Sequence, residues 1–518
     1  MAKNNKVAEY GDFQTPAGLA HQVCARLALW NLQPASLVEP TCGMGSLLLA
    51  GRAAFPGVRR TIGADINGSY VQWARNAVEG QVHDGGVSIF QADFFATDWE
   101  RVIGELPAPT LVLGNLPWVT NSHLESIGSQ NLPVKSNFQS VTGIAAITGK
   151  SNFDISEWMM VQLMDVLQRQ RGVLAMLCKS SVARKALAHA WKHGLAFSRA
   201  EICRIDAAIH FNAAVDAVLL MVDFQGSEVA AEAPVYATLQ ASQPESSIGY
   251  EDGILLSNAA VYRQSKQLSR KVSSDGLQWR SGVKHDCAKV MEFRGEGGRY
   301  RNGLGELIEL EAELLYPLVK SSEVASDCPG WTNRWMLVTQ QFVGEETAPI
   351  QESAPKTWAY LTRHAAAFEK RGSAIYRNRP PFSMFGVGPY TFAPWKVAIS
   401  GFYKRLSFAT LGPVEGKPLI LDDTAYFLPC QSEEQASFIA GLLNSPEARS
   451  LLDAMIFWDS KRPITADILR WLDLHRLAVE LGLADRAALL LPEKAEPRRR
   501  QSSKKRQPKS KTLSLWPE

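Results

Sequence analysis

No stretch of this 518-residue chain reaches the roughly 18–20 uncharged apolar residues that a membrane-crossing helix needs, and the opening MAKNNKVAEYGDFQ is polar where a secretion signal would be apolar. A soluble, cytoplasmic protein is expected. Cysteine is sparse: Cys24, Cys42, Cys178, Cys203, Cys287, Cys328 and Cys430 are odd in number, scattered and never arranged as C-x-x-C. That spacing excludes a disulfide framework and a zinc cluster, leaving reduced packing residues and no metal site. Internal repeats are absent too. At this length, two domains with an appendage are the natural division.

Charge is nearly balanced overall, at +3, but unevenly placed. Residues 494–518 hold nine Lys/Arg against Glu496 and Glu518, so this end carries +7 and the remainder −4. Such a run fits a solvated basic tail, and it could also attract phosphates regardless of sequence.

The first part of the chain alternates short apolar runs with helical patterns, which signals a doubly wound, mostly parallel sheet with helices on both faces. Strands are expected at Ser36–Glu39, Thr61–Ala64, Val87–Gln91, Thr110–Leu113, Gly172–Cys178 and Ala214–Val222. Helices are expected from Leu47, around Tyr70–Val78, and from Ile155 to about Gln168. Thr15-Pro16 reads as a helix cap followed by proline at the first helical position. From Gly226 to Ser247 the pattern loosens into polar, Ala/Ser/Pro-bearing sequence, which suggests a boundary. Beyond it lies a stretch rich in Trp, Tyr and Arg, including Phe293–Gly303 and Arg371–Gly388, where arginines interleaved with aromatics suit nucleic acid or an ordinary surface equally. A helical stretch at Ser432–Met455 precedes the tail. The expected division is 1–230, 231–490 and 491–518.

Four segments gain meaning when taken together. Val38-Glu39-Pro40-Thr41-Cys42-Gly43-Met44-Gly45 places two glycines in a strand-to-helix turn, where a ligand can approach the backbone. Asp65 closes the next strand, 22 residues beyond Gly43, the position from which an acid can grip ribose hydroxyls. Asp93-Phe94 follows another strand and offers a carboxylate and a ring to a purine. Gly114-Asn115-Leu116-Pro117-Trp118 then follows the apolar strand Thr110–Leu113.

Asn-x-Pro-aromatic at the end of a parallel strand resembles the (N/D/S)PP(Y/F/W) motif of amino-group methyltransferases, and Phe13–Pro16 resembles that family's upstream F-x-T-P segment. The closest resemblance is to N6-adenine DNA methyltransferases of the γ arrangement, over residues 9–225. The resemblance implies a Rossmann-like methyltransferase domain with a C-terminal mixed α+β target recognition domain. It implies S-adenosylmethionine as cofactor, double-stranded DNA as partner, and a role beside a separate restriction endonuclease. Thr15 and Pro16 would line the cofactor site. Glu39, Pro40, Cys42, Gly43 and Gly45 would face its methionine part, Asp65 the ribose, and Ile66, Asp93 and Phe94 the adenine. Asn115, Leu116, Pro117 and Trp118 would handle the target amino group, with Trp118 and Phe211 stacking on the base. Phe153-Asp154-Ile155 resembles a further helix-start motif.

Leu116 departs from the family's second proline, keeping a backbone acceptor but losing rigidity. Leu48 stands where a dinucleotide fingerprint would have its third glycine, which argues against NAD. C5-cytosine chemistry would need a Pro-Cys nucleophile, and only Cys430 follows a proline, far downstream. N4-cytosine methylation usually has Ser in place of Asn115. A non-catalytic DNA-binding subunit remains the reading from another class. No P-D-x(n)-(D/E)-x-K nuclease pattern is evident, and the N-terminus has no room for a nuclease domain.

Overall fold

The structure, a computed structural model, describes residues 13–79, 86–118, 154–269 and 277–492. Ten strands form one sheet: β1 (Ser36–Glu39), β2 (Arg60–Asp65), β3 (Val87–Gln91), β4 (Thr110–Asn115), β5 (Val173–Lys179), β6 (Arg199–Ile205), β7 (Ala217–Asp223), β8 (Glu232–Tyr236), β9 (Ser246–Glu251) and β10 (Ile254–Leu256). Their order across the sheet is β10-β9-β8-β6-β7-β5-β4-β1-β2-β3. From β3 to β5 every pairing is parallel, and β7 enters antiparallel between β5 and β6.

Parallel strands covered on both faces read as continuous apolar runs, because both sets of alternating side chains are buried. Leu37, Leu111 and Leu113 pack to one side with α1 (Ala17–Ala28), α2 (Ser46–Ala54) and α3 (Gly68–Glu79). Val38 and Val112 pack to the other with α4 (Trp99–Gly104), α5 (Ile155–Gln170) and α6 (Ser180–His193). The helices start where short acids meet free amides: Asp98 accepts from Arg101 N, and Asp154 from Ser156 N. Phe153 lies outside the described residues. Asp154, besides capping α5, holds Lys179 Nζ at 2.6 Å at the end of β5.

The expected cap at Thr15 is different in the structure. Pro16 itself is the capping residue, with extended backbone and its carbonyl accepting from Ala20 N, while Thr15 turns toward β4. The polar stretch 226–247 also holds more order than its composition suggested. β8 runs parallel to β6, and β9 and β10 extend the sheet, so strands continue past residue 230 to Leu256. Leu256 is buried in the next core, with Ala259, Tyr262 and the helices at Glu433–Leu443 and Pro446–Asp453. These two helices replace the single helical stretch expected there, because Ser445 caps a new helix with Pro446 at its start.

The remainder is mixed α and β. A four-stranded sheet runs Arg280–Ser281, Ala425–Cys430, Trp395–Ser400, Ala409–Leu411, and a six-stranded one is centred on Glu292–Glu296, Arg334–Leu337 and Leu315–Val319. All seven cysteines are free and all but Cys328 are buried. Among the described residues no helix is long and apolar enough to cross a membrane. The basic run 494–518 lies outside the described residues.

A buried polar knot ties α1 to the sheet. Glu201 on β6, 2% exposed, accepts from Arg26 Nη2 at 2.7 Å, Trp30 Nε1 at 2.9 Å and Arg199 Nη2 at 2.5 Å. Removing the carboxylate leaves a buried guanidinium and an indole N–H without their acceptor. Glu201→Ala is therefore expected to cost about 3–5 kcal/mol of stability, seen as a lowered denaturant midpoint. A midpoint equal to wild type would show that the knot contributes nothing.

Candidate active site

Because β4 lies on the far side of β1 from β2, helices leave in opposite directions from neighbouring strand ends, and a crevice opens at the carboxyl ends of β1, β2 and β4. The turn after β1 lines its floor. Gly43 and Gly45 both have positive φ, +50° and +85°, and a side chain at Gly43 would collide with the Gln14 amide. Asp65 at the end of β2 fastens this turn, its Oδ2 accepting from Gly43 N at 2.9 Å and its Oδ1 from Asn67 N at 2.8 Å. Gln14 Oε1 accepts from Met44 N at 3.0 Å, bringing the segment before α1 over the turn.

Glu39 ends β1, 3% exposed, beside the N-terminus of α2, where Leu48 N–H reaches its carboxylate. Its Oε2 is buried without a hydrogen-bond partner among the described residues. Burial, and then the neighbouring charge of Asp65, pushes this carboxyl well above the usual range. The crevice thus contains two acids that burden one another and one unsatisfied acceptor, a donor set suited to a ligand bearing positive charge. Among the described residues no group of three or more His, Cys, Asp or Glu could hold a metal ion.

Asn115 is the last residue of β4. Its Nδ2 donates to Phe13 O at 2.7 Å and to Thr15 Oγ1 at 3.3 Å, which fixes the amide's orientation. Thr41 Oγ1 donates to the Asn115 carbonyl at 3.2 Å, tying the β1 turn to the same point. The consequence is specific: Asn115 Oδ1 is buried and, among the described residues, has no partner.

Beside it, Trp118 meets Phe13 at 5.1 Å between ring centroids and Phe211 at 4.9 Å, edge to face. Phe211 sits on the short helix α7 (Ala207–Phe211), capped by Asp206. Trp118 is 6% exposed and its Nε1 lacks a partner among the described residues.

The structure therefore brings Thr15, Glu39, Gly43, Asp65, Asn115, Trp118 and Phe211 to one end of the sheet. Asp93 closes its own turn by accepting from Phe95 N at 2.9 Å. Phe94 is placed elsewhere than a ligand's face, packed in the core at 5.3 Å from Trp99 and near Phe95 and Trp158. Ile66, 37% exposed, is the apolar group left at the crevice beside Asp65. Sequence reasoning missed Phe13 and Gln14 as site residues, although the F-x-T-P segment was the available signal.

The sheet, with β7 antiparallel between β5 and β6, is that of the Rossmann-like methyltransferase fold. The chain is 44% identical over 474 residues to the type II methyltransferase M.NspV of Nostoc sp. (strain ATCC 29411 / PCC 7524), covering 91% of this chain and 97% of that one. A solved structure of the type IIL restriction-modification enzyme MmeI in complex with DNA matches the fold with a TM-score of 0.51 at 15% identity, over 95% of this chain and 69% of that one. No family model matches. The chain belongs to the type II DNA methyltransferases of restriction-modification systems.

Glu39 provides a test of the site's electrostatics. A carboxyl whose folded pKa is raised stabilises the fold below its unfolded pKa and loses that contribution as pH rises through the folded value. Glu39→Gln removes the charge while keeping an acceptor for Leu48 N–H. The ligand-free variant should gain thermal stability over wild type as pH rises from 5 to 8. A pH-independent difference would contradict the placement of Glu39 beside Asp65.

Proposed function

We propose that this protein transfers a methyl group from S-adenosylmethionine to the N6 amino nitrogen of adenine in double-stranded DNA. The observation that carries the reading is Asn115 Oδ1, a buried acceptor with no partner among the described residues, on an amide held in place by its other end.

Adenine's amino nitrogen is a poor nucleophile because its lone pair is delocalised into the ring. Acceptors for both its hydrogens favour a tetrahedral nitrogen with the lone pair freed. Asn115 Oδ1 is one such acceptor, and the Leu116 carbonyl, next along the chain, would be the other. Orienting the amide beforehand spares that cost during reaction, and fixed dipoles of this kind act most strongly in a dry site.

The donor set suits the cofactor. Glu39 and the Gly43–Gly45 turn would hold its methionine portion, Asp65 its ribose, and Ile66, Asp93 and the Phe94 backbone its adenine, with Pro40, Cys42, Thr15 and Pro16 shaping the walls. When bound, S-adenosylmethionine supplies a methyl group on a sulfonium centre, ready for a single displacement. Asp65→Ala should weaken cofactor binding in a folded protein, measurable by calorimetry, and unchanged affinity would mean that the cofactor lies elsewhere.

A base cannot reach Asn115 while stacked in a duplex and must be extruded. Trp118 and Phe211 now contact each other and Phe13, so a base lying on Trp118 requires these rings to part. Stacking on them would return about 1–3 kcal/mol. Asn rather than Ser at position 115 favours adenine over the N4 of cytosine. A restriction endonuclease on a separate chain is the companion this reading implies.

Asn115→Ala should retain cofactor and DNA affinity yet slow single-turnover methyl transfer roughly 100- to 1,000-fold. Mass spectrometry of nucleosides from the treated DNA should give N6-methyladenine. N4-methylcytosine, or transfer at the wild-type rate by the variant, would overturn the assignment, and no transfer by wild type would leave a DNA-binding subunit.

A further inference from the structure

Two segments of the C-terminal half lie side by side, residues 339–347 and 371–387. Thr339 Oγ1 donates to Phe382 O at 2.8 Å, Thr347 Oγ1 to Pro381 O at 2.6 Å, and Met384 N to Gln340 Oε1 at 2.8 Å. Thr339, Gln340 and Thr347 are all buried, so these bonds fix one segment on the other away from water. Arg371 is used internally, stacked 3.7 Å above Tyr376 and donating to the Ser383 carbonyl at 2.7 Å. It is a brace rather than a contact residue.

What this brace supports is unusual for a solvated surface. The turn 341–345 is closed by the Glu345 carboxylate on Gln341 N and by Gly344 at φ +90°. At its tip Phe342 is 55% and Val343 38% exposed. Arg377, Asn378 and Arg379 are exposed on the neighbouring segment, and Arg379 is close enough that a Cβ at Gly344 would lie 3.5 Å from its Nη1. Arg263, Arg301, Arg334 and Lys356 each meet a carboxylate. Among the described residues neither Arg377 nor Arg379 does.

We propose that this tip enters a groove of duplex DNA, with Phe342 and Val343 against base edges and Arg377 and Arg379 on the flanking phosphates. The proposal rests on the DNA-methylating reading and locates within the C-terminal half a surface that would contribute to sequence choice. Apolar side chains contact thymine methyls or wedge at base steps, whereas arginines beside them neutralise phosphates and release counterions. A rigid, preordered turn presents both together at little ordering cost on binding. The exposed pair beside two cations that meet no carboxylate among the described residues, Arg379 lying 5.6 Å from the Phe385 ring, fits a polyanion with apolar edges better than an apolar protein groove.

The test uses the full chain, unmethylated phage DNA as substrate and a short random-sequence duplex for binding. Arg377→Gln/Arg379→Gln should raise KM for DNA about 10-fold or more and lower the slope of log affinity against log salt by about 2, since each phosphate contact contributes about 0.9. Its kcat, cofactor affinity, unfolding temperature and set of methylated sequences should stay at wild type. Arg377→Lys/Arg379→Lys should keep the wild-type slope. Phe342→Ser/Val343→Ser should instead relax sequence choice, raising methylation of sites with one altered base pair about 10-fold relative to the preferred site. Glutamine variants with wild-type KM and salt slope would overturn the proposal, as would a self-association lost in Phe342→Ser/Val343→Ser. A wild-type chain that transfers no methyl group refutes the underlying activity, and the binding slopes still decide the fate of this surface.

Discussion

The pairing of β4 with β1 is the contact on which the site depends. Ser36, Leu37 and Val38 lie opposite Thr110, Leu111 and Val112, which places Glu39 and Asn115 at adjoining strand ends. A slip of β4 by one residue would turn Leu111 and Leu113 away from the α1–α3 layer that now covers them, while Leu37 stays in place. Hydrophobic burial therefore sets the register, and the register sets the separation between the Glu39 carboxyl and the Asn115 amide. The polar groups at the site contribute little to this choice. They inherit it.

A second layer of control comes from outside the sheet. The Asn115 amide takes its orientation from Phe13 and Thr15, about a hundred positions earlier in the chain, and the glycine turn takes its shape from Asp65 and Gln14. Each uses side-chain or backbone atoms that the sheet itself does not need. Asn115 Oδ1 and Glu39 Oε2 remain unsatisfied in the interior, where such groups are uncommon and costly. The protein holds these acceptors ready, and their cost is offset by the packed strands that hold them.

Much of this arrangement could be read from the chain. β1, β2, β4 and β5 stand out because strands covered on both faces are apolar throughout, and Asn115-Leu116-Pro117-Trp118 stands out because it follows one directly. β8 and β9 did not, since Glu232–Tyr236 and Ser246–Glu251 are half-covered strands near the sheet's edge, with polar residues that look like a linker. The setting of Phe94 was not legible for another reason. A ring beside a strand-end acid suits a purine, but here Trp99 donates to its carbonyl at 3.0 Å and the ring joins the core. In the C-terminal half, strands as short as Leu307–Ile308 and Ile420–Leu421 carry no periodic signal, and Leu318 pairs with Ile420 only because the fold brings them together. Local pattern cannot reveal an element that tertiary contact creates.

Arg184 on α6 is buried against the C-terminal half, ion-paired with Asp459, donating to Ser460 Oγ at 3.3 Å and lying 4.6 Å above the Phe457 ring. The two halves are thus joined by a charge pair that neither carries alone. A crossover near residue 256 would separate the two members of this pair, and an incoming half without an acid at 459 would strand the Arg184 guanidinium in the interface. The seam acts as a compatibility lock, restricting which foreign C-terminal halves the N-terminal half can accept.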